Sequence, residues 1–179
     1  MDLDVELIRE KILCSGRRVV LAERVYRYKD TTFVKDVVKF GEAVAIVPLK
    51  DDGNIILIRQ FRAPLNKWIL EVPAGKVEAD ERPEEAARRE SIEEIGYTIG
   101  ELVKLASIYM SPGYSNEILH IFLARELNYV GRKPLHGELI EAVEMKLDRA
   151  LNRILGEEVA DSKTLVAILL TKRYLQTHH

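Results

Sequence analysis

Cysteine is nearly absent from this chain, and the single copy, Cys14, has no partner for an internal disulfide and no second thiolate for a metal site. It is read as a structural residue. Also missing is any run of eighteen apolar residues, although 47% of the 179 residues are hydrophobic, so the chain can bury a core without spanning a membrane. A net charge of −2 supplies no basic surface, which excludes a general electrostatic affinity for nucleic acid. The opening Met1-Asp2-Leu3-Asp4-Val5-Glu6 is acidic and lacks the charged-then-apolar order of a signal peptide. The expectation is a cytoplasmic protein with no nucleic-acid or membrane partner.

Several signatures of nucleotide and hydrolytic sites are missing too. There is no Gly-x-Gly-x-x-Gly, Walker A lysine loop, His-Glu-x-x-His or Gly-x-Ser-x-Gly, which removes dinucleotide folds, P-loop NTPases, zincins and α/β-hydrolases. His120 and His136 stand alone and are read as packed or loop residues. His178 and His179 are set aside as a native end or a tag remnant.

What the chain does have is a set of carboxylates in residues 75–97, GKVEADERPEEAARRESIEEIGY. At about 100° per helical residue, Glu90, Glu93 and Glu94 fall within an arc of roughly 100°, beside the small Ala86. Glu84 with Arg88 and Glu85 with Arg89 are favourable i,i+4 pairs, which leaves Glu90 and Glu94 as like charges at that spacing without a local counter-charge. A divalent cation would remove the repulsion, and hard cations such as Mg²⁺ sit between carboxylates and substrate phosphates. An isolated acidic cluster is more often a solvated helix surface, so its neighbours decide the reading. Pro83 suits a first helical turn and Gly96 a left-handed end. Ahead of them, 68–72 reads as a buried strand, and Pro73-Ala74-Gly75 turns the chain so that backbone carbonyls can face the acids.

Gly75, five residues, Glu81, seven residues, Arg89-Glu90, Glu93-Glu94, one residue, Gly96 and the apolar Tyr97 together resemble the Nudix box at nearly every fixed position. Only Ser91 departs, standing where the pattern has a bulkier apolar residue. The resemblance implies that Glu90, Glu94 and the Ala74 carbonyl hold Mg²⁺, with Mn²⁺ possible, and that Glu93 serves a further metal or bridges. Arg89 joins Glu93 in the expected catalytic set, orienting the glutamates through ion pairs, with Glu81 and Glu85 in reach.

A pass along the chain predicts strands over 17–28, 32–40, 43–48 and 55–62, with Asp51-Asp52-Gly53-Asn54 as a hairpin turn. After the box helix, 101–110, 117–127 and 139–146 alternate as strands, while 148–155 and 162–176 are helical. The predicted fold class is α/β, a Nudix-type α/β/α sandwich with a mixed sheet and an N-terminal antiparallel strand extension. A single domain is expected over 1–179, with 1–40 as the extension that carries dimerisation strands and the charged 1–16 as an appendage.

Gln60-Phe61-Arg62 ahead of Trp68, Glu71-Val72-Pro73-Ala74-Gly75 before the helix, and Ser111-Pro112-Gly113 fifteen residues beyond Tyr97 resemble the ADP-ribose pyrophosphatase branch of the Nudix hydrolases. This implies hydrolysis of ADP-ribose to AMP and ribose 5-phosphate by water attacking a diphosphate phosphorus. Another nucleoside diphosphate sugar, such as GDP-mannose, is the alternative substrate. A non-catalytic nucleotide-binding module is the weaker reading, since such modules normally lose box carboxylates. Arg62, whose fork suits diphosphate oxygens, is the expected phosphate ligand, and Glu71 is expected to accept from ribose or adenine. Arg17, Arg18, Tyr26 and Tyr28 lie in strands that in this branch often cross to a partner, which implies a homodimer. Glu138, on the loop before the late strand, is the expected general base, with Glu141 as runner-up.

Overall fold

The computed structural model describes residues 4–133 and 139–178. Its contacts divide into two compact units, Met1–Glu42 with Ile108–Ile118, and Ala43–Ser107 with Leu119–His179. No helix among the described residues is long and apolar enough to cross a membrane.

In the first unit, β1 (Val5–Ser15), β2 (Val20–Tyr28) and β3 (Thr31–Lys39) form an antiparallel sheet in that order. The segment expected to be an appendage is therefore mostly strand. Its alternation is hidden because the register slips between Leu7 and Arg9 and again between Ile12 and Cys14, each slip reversing which side chains share a face. All of β1 is exposed, and cross-strand ion pairs accompany the backbone ladder: Glu10 accepts from Arg24 and Lys39, each at 2.6 Å. Cys14 is exposed on β1. Arg17 and Arg18 lie in the bend before β2 rather than within the strand as expected, and both are exposed. Tyr28 is half-buried with the Lys29 Nζ 5.2 Å from its ring, and Tyr26 stacks on Phe33 at 5.5 Å.

The second unit is built from strands of the opposite character. β4 (Glu42–Pro48) and β5 (Asn54–Arg62) carry the runs Ala-Val-Ala-Ile-Val and Ile-Ile-Leu-Ile, buried throughout because both faces are covered. Gly53, at φ 77°, and Asp52, whose Oδ1 accepts from Asn54 N at 2.9 Å, make the turn between them. Next come β6 (Lys67–Glu71), β7 (Ala74–Lys76), α1 (Pro83–Glu90), β8 (Tyr97–Tyr109), β9 (Ile118–Tyr129), β10 (Ile140–Lys146), α2 (Leu147–Leu155) and α3 (Ser162–Thr177). The sheets run β10-β5-β6 and β7-β4-β9-β8. Ile95, just beyond α1, packs on Ile56, Ile58 and Ile140, while α2 lies against β5 and β10. The α/β class and the mixed sheet are as expected.

Candidate active site

Small residues bring the box helix close to its sheet. Ala86 and Ala87 of α1 are fully buried with Val44, Ile46 and Phe122, so the helix lies close over β4. β7 pairs with β4 through Ala43↔Lys76, Val44↔Gly75 and Ala45↔Ala74, which carries Ala74 and Gly75 beneath the helix as strand rather than as the expected turn. The helix starts at Pro83, where the Glu85 carboxylate reaches back to accept from Arg82 N at 3.0 Å. After Glu90 it widens into a single π-helical turn, Ser91–Ile95, before Gly96 ends it at φ 84°. Such single turns are frequent at functional sites. Ser91 is fully buried, and its hydroxyl donates to the Tyr97 carbonyl at 2.8 Å, so the box departure is met by a hydrogen bond across the helix end.

Glu90 and Glu94 are 9% and 3% exposed, and both are turned toward Ala74 and Gly75 of β7. Ala74 N donates to Glu94 Oε2 at 2.9 Å. A Cβ built on Gly75 would lie 1.8 Å from Glu90 Oε1, so glycine is needed there for the carboxylate to occupy its place.

The counter-charge missing from the sequence pattern is Arg89. Its Nε and Nη2 each reach Glu81 at 2.9 Å, Nη1 reaches Glu90 at 2.7 Å and Glu93 at 3.1 Å, and Nη2 also donates to the Lys76 carbonyl at 2.9 Å. All five donors of the guanidinium are engaged. The hydrogen bonds to Glu81, then those to Glu90, hold Arg89 well above its ordinary pKa, and Arg89 in turn holds Glu81 below the usual carboxylate range. Arg89 thus has no donor left for a substrate. The expected pairs Glu84 with Arg88 and Glu85 with Arg89 are not formed: Glu85 pairs with Arg82, and Arg88 donates to the Ile99 carbonyl.

This donor set fits a hard cation in its chemistry. Glu90, Glu93 and Glu94 offer only oxygens, and the absent Gly75 side chain lets Glu90 lie against β7. Among the described residues no three acidic, histidine or cysteine side chains already converge on one point, because Arg89 draws Glu90 and Glu93 toward itself.

A second constellation stands on β5 and β6. Arg62 grips Glu71 with Nε and Nη2, both at 2.7 Å, and Lys163 donates to Glu71 Oε2 from the first turn of α3. Asp161 caps α3, accepting from Thr164 N at 3.0 Å, and also pairs with Lys163 at 2.9 Å. Thr164 Oγ1 accepts from Val72 N at 2.9 Å, tying the helix start to the chain just before Pro73-Ala74-Gly75. Glu71 is fully buried and carries two cations, so it supports Arg62 and does not present free acceptors to a ribose as expected. Burial, the largest influence on Arg62, pulls its pKa down, but Glu71, with smaller help from Glu94 and Asp161, leaves it raised. Its Nη1 has no acceptor among the described residues.

Lys163, Asp161 and Thr164 were not found from sequence. Asp161-Ser162 signals a helix start, but nothing local announces a partner 92 residues away. Glu138 lies outside the described residues. Glu141 faces Arg59 in the β10–β5 register and meets it at 3.6 Å, exposed on the side of the sheet opposite Ile140 and the box helix. Arg18 and Tyr28 belong to the first unit.

A NUDIX domain model matches residues 39–167. The chain is 40% identical over 177 residues to an ADP-ribose pyrophosphatase of Bacillus subtilis, covering 97% of this chain and 94% of that one. It is 35% identical over 174 residues to a methanol dehydrogenase activator of Bacillus methanolicus, covering 94% and 91%. A GDP-mannose pyrophosphatase of Salmonella typhimurium is 37% identical over 136 residues, 70% of this chain and 68% of that one. Among solved structures, an ADP compounds hydrolase superposes with a TM-score of 0.85 at 21% identity, covering 97% of this chain and 95% of the other, a likeness of fold.

Proposed function

From the premise that the chain belongs to the Nudix family, we propose that it hydrolyses the diphosphate of ADP-ribose to AMP and ribose 5-phosphate, with Mg²⁺ as cofactor and Mn²⁺ as a substitute. The observation that carries this reading is the pair of buried carboxylates, Glu90 and Glu94, turned toward Ala74 and Gly75 of β7. The 40% identical ADP-ribose pyrophosphatase supports the substrate, and the GDP-mannose pyrophosphatases keep a second nucleoside diphosphate sugar as the alternative. A non-catalytic module is disfavoured because every box carboxylate is present.

Glu90, Glu94 and the Ala74 carbonyl would hold the metal, with Glu93 beside them; bound there, it would lower the pKa of a water and neutralise diphosphate charge. Arg89 holds Glu90 and Glu93 in place, and Glu81 anchors Arg89 in turn. Arg62 offers its remaining guanidinium edge to a phosphate oxygen while Glu71 and Lys163 fix its plane. Glu138 takes the proton of the attacking water. Arg18 and Tyr28 contact the adenosine from a partner copy, and the exposed apolar residues of β1, including Val5, Leu7 and Ile12, support dimerisation through 1–40 within a single Nudix domain over 1–179. The protein works in the cytoplasm.

A panel of nucleoside diphosphate sugars with Mg²⁺, read by release of AMP or GMP, tests the substrate. Activity on GDP-mannose with none on ADP-ribose would select the alternative. Glu138→Gln is expected to lower kcat by about 10²–10⁴-fold without weakening ADP-ribose binding, whereas Glu141→Gln leaves kcat unchanged. The reverse result moves the base to Glu141. Light scattering of the chain with and without 1–40 tests the dimer, and a monomeric full-length protein would remove it.

A further inference from the structure

A cavity of about 400 Å³ lies in the second unit, on the side of the β10-β5-β6 sheet that α2 covers. Strand alternation decides which residues line it. Ile56, Ile58 and Ile140 turn to Ile95 and the box helix, so Arg59, Val143 and Met145 turn the other way, into the cavity. No box residue reaches it.

Its floor is apolar, formed by Leu70, Val143 and Ile154, and its rim carries three guanidiniums, Arg59, Arg149 and Arg153. Arg149 and Arg153 sit at i,i+4 on α2, where like charges repel. The acids nearby answer them only in part. Glu157 meets Arg153 at 3.3 Å, the exposed Glu141 meets Arg59 at 3.6 Å, and Asp161 is held by Lys163 and Thr164. Arg149 has no acidic partner among the described residues. Arg59 also stacks 5.2 Å over Trp68, which is 41% exposed and the only tryptophan in the chain.

We propose that this cavity is a second ligand site, for an aromatic monophosphate of the nucleoside monophosphate type, with its ring against Trp68 and the apolar floor and its phosphate at Arg149 and Arg153. A neutral apolar molecule leaves the arginines unmet, and inorganic phosphate leaves the floor wet. Arginine forks suit phosphate oxygens and aromatic faces suit a flat ring. Glu157 and Asp161 on the same rim select against a longer, more highly charged polyphosphate. The proposed ligand is the same whichever diphosphate the enzyme cleaves, since the site uses none of the box residues.

Trp68 is its own reporter. Tryptophan fluorescence is followed while AMP, adenosine or inorganic phosphate is added to the full chain in EDTA. AMP is expected to give a saturable change at lower concentration than either fragment. The double variant R149E/R153E is expected to raise the AMP midpoint by about tenfold or more while leaving Mg²⁺-dependent hydrolysis unchanged. R149Q/R153Q, which keeps the helix surface neutral, shifts it in the same direction. No saturable change with AMP overturns the proposal. So does a change that survives both double variants, or one that disappears in Glu94→Gln, which would place the signal at the box. Adenosine or phosphate matching AMP overturns the assigned ligand class.

Discussion

Arg89 and Arg62 each grip carboxylates in the second unit, but they do so in different ways. Arg89 meets Glu81, Glu90, Glu93 and the Lys76 carbonyl, and has no donor free. Arg62 meets Glu71 alone through two nitrogens and keeps Nη1 open among the described residues. The same side chain is thus fully engaged in one place and keeps a free edge in the other. What separates them is how many acceptors the fold has placed around each, since a guanidinium has five donors wherever it stands.

The largest effect is expected at Glu94, whose carboxylate accepts from Ala74 N. Glu94→Gln keeps the shape and the Ala74 N–H bond but loses charge, and is expected to remove several kcal/mol of transition-state stabilisation, on the order of 10²–10³-fold in kcat, with little change in Tm. Turnover in EDTA equal to that in Mg²⁺ would end the metal reading altogether. Arg89→Ala is next: it leaves three acids facing one another, and a loss of about 2–3 kcal/mol in denaturant unfolding, together with activity, is expected. Lysine should not rescue it, having no fork. If Arg89→Ala were as stable as the parent and changed only KM, the two arginines would not differ as argued.

Arg62→Ala is expected to raise KM for ADP-ribose more than it lowers kcat, because its contact with the diphosphate is shared by ground and transition states. Lys163 still neutralises Glu71 in that variant, so the fold should survive. An unchanged KM removes Arg62 from the substrate site. The smallest effect is one of pH. Glu81 has its folded pKa held below the ordinary 4.5, first by the Arg89 hydrogen bonds. Its stabilisation is therefore complete above the unfolded value and is lost as pH falls through the lower folded value. Thermal melts taken downward from pH 4.5 should show Glu81→Gln losing less stability than the parent; parallel curves would mean that the Arg89 cluster does not set acid sensitivity.

The two units differ in how legible they were. In the second, the continuous apolar runs of β4 and β5, the Asp52-Gly53 turn, Pro83 and Gly96 all announce themselves, because each is a pattern among neighbours along the chain. In the first, β1 did not, since two register slips scramble its alternation and all its side chains are exposed. The box was readable as a motif, yet its electrostatics were not. Residues 84–89 satisfy the i,i+4 rule on paper, while the folded chain sends Arg89 to Glu81 instead, across the start of the helix.

The order of residues by itself determined the family of the chain, the position of its acidic helix and most of its strands, because turn chemistry, apolar period and motif spacing act over a few residues. Only the tertiary structure decided which acids are buried, that Glu90 fills the space Gly75 leaves open, that Glu71 is held by Lys163, and that Glu141 faces away from the box helix. The reason is geometric: a carboxylate's role depends on the donors around it in space, and packing brings those donors from residues as far as 92 positions away.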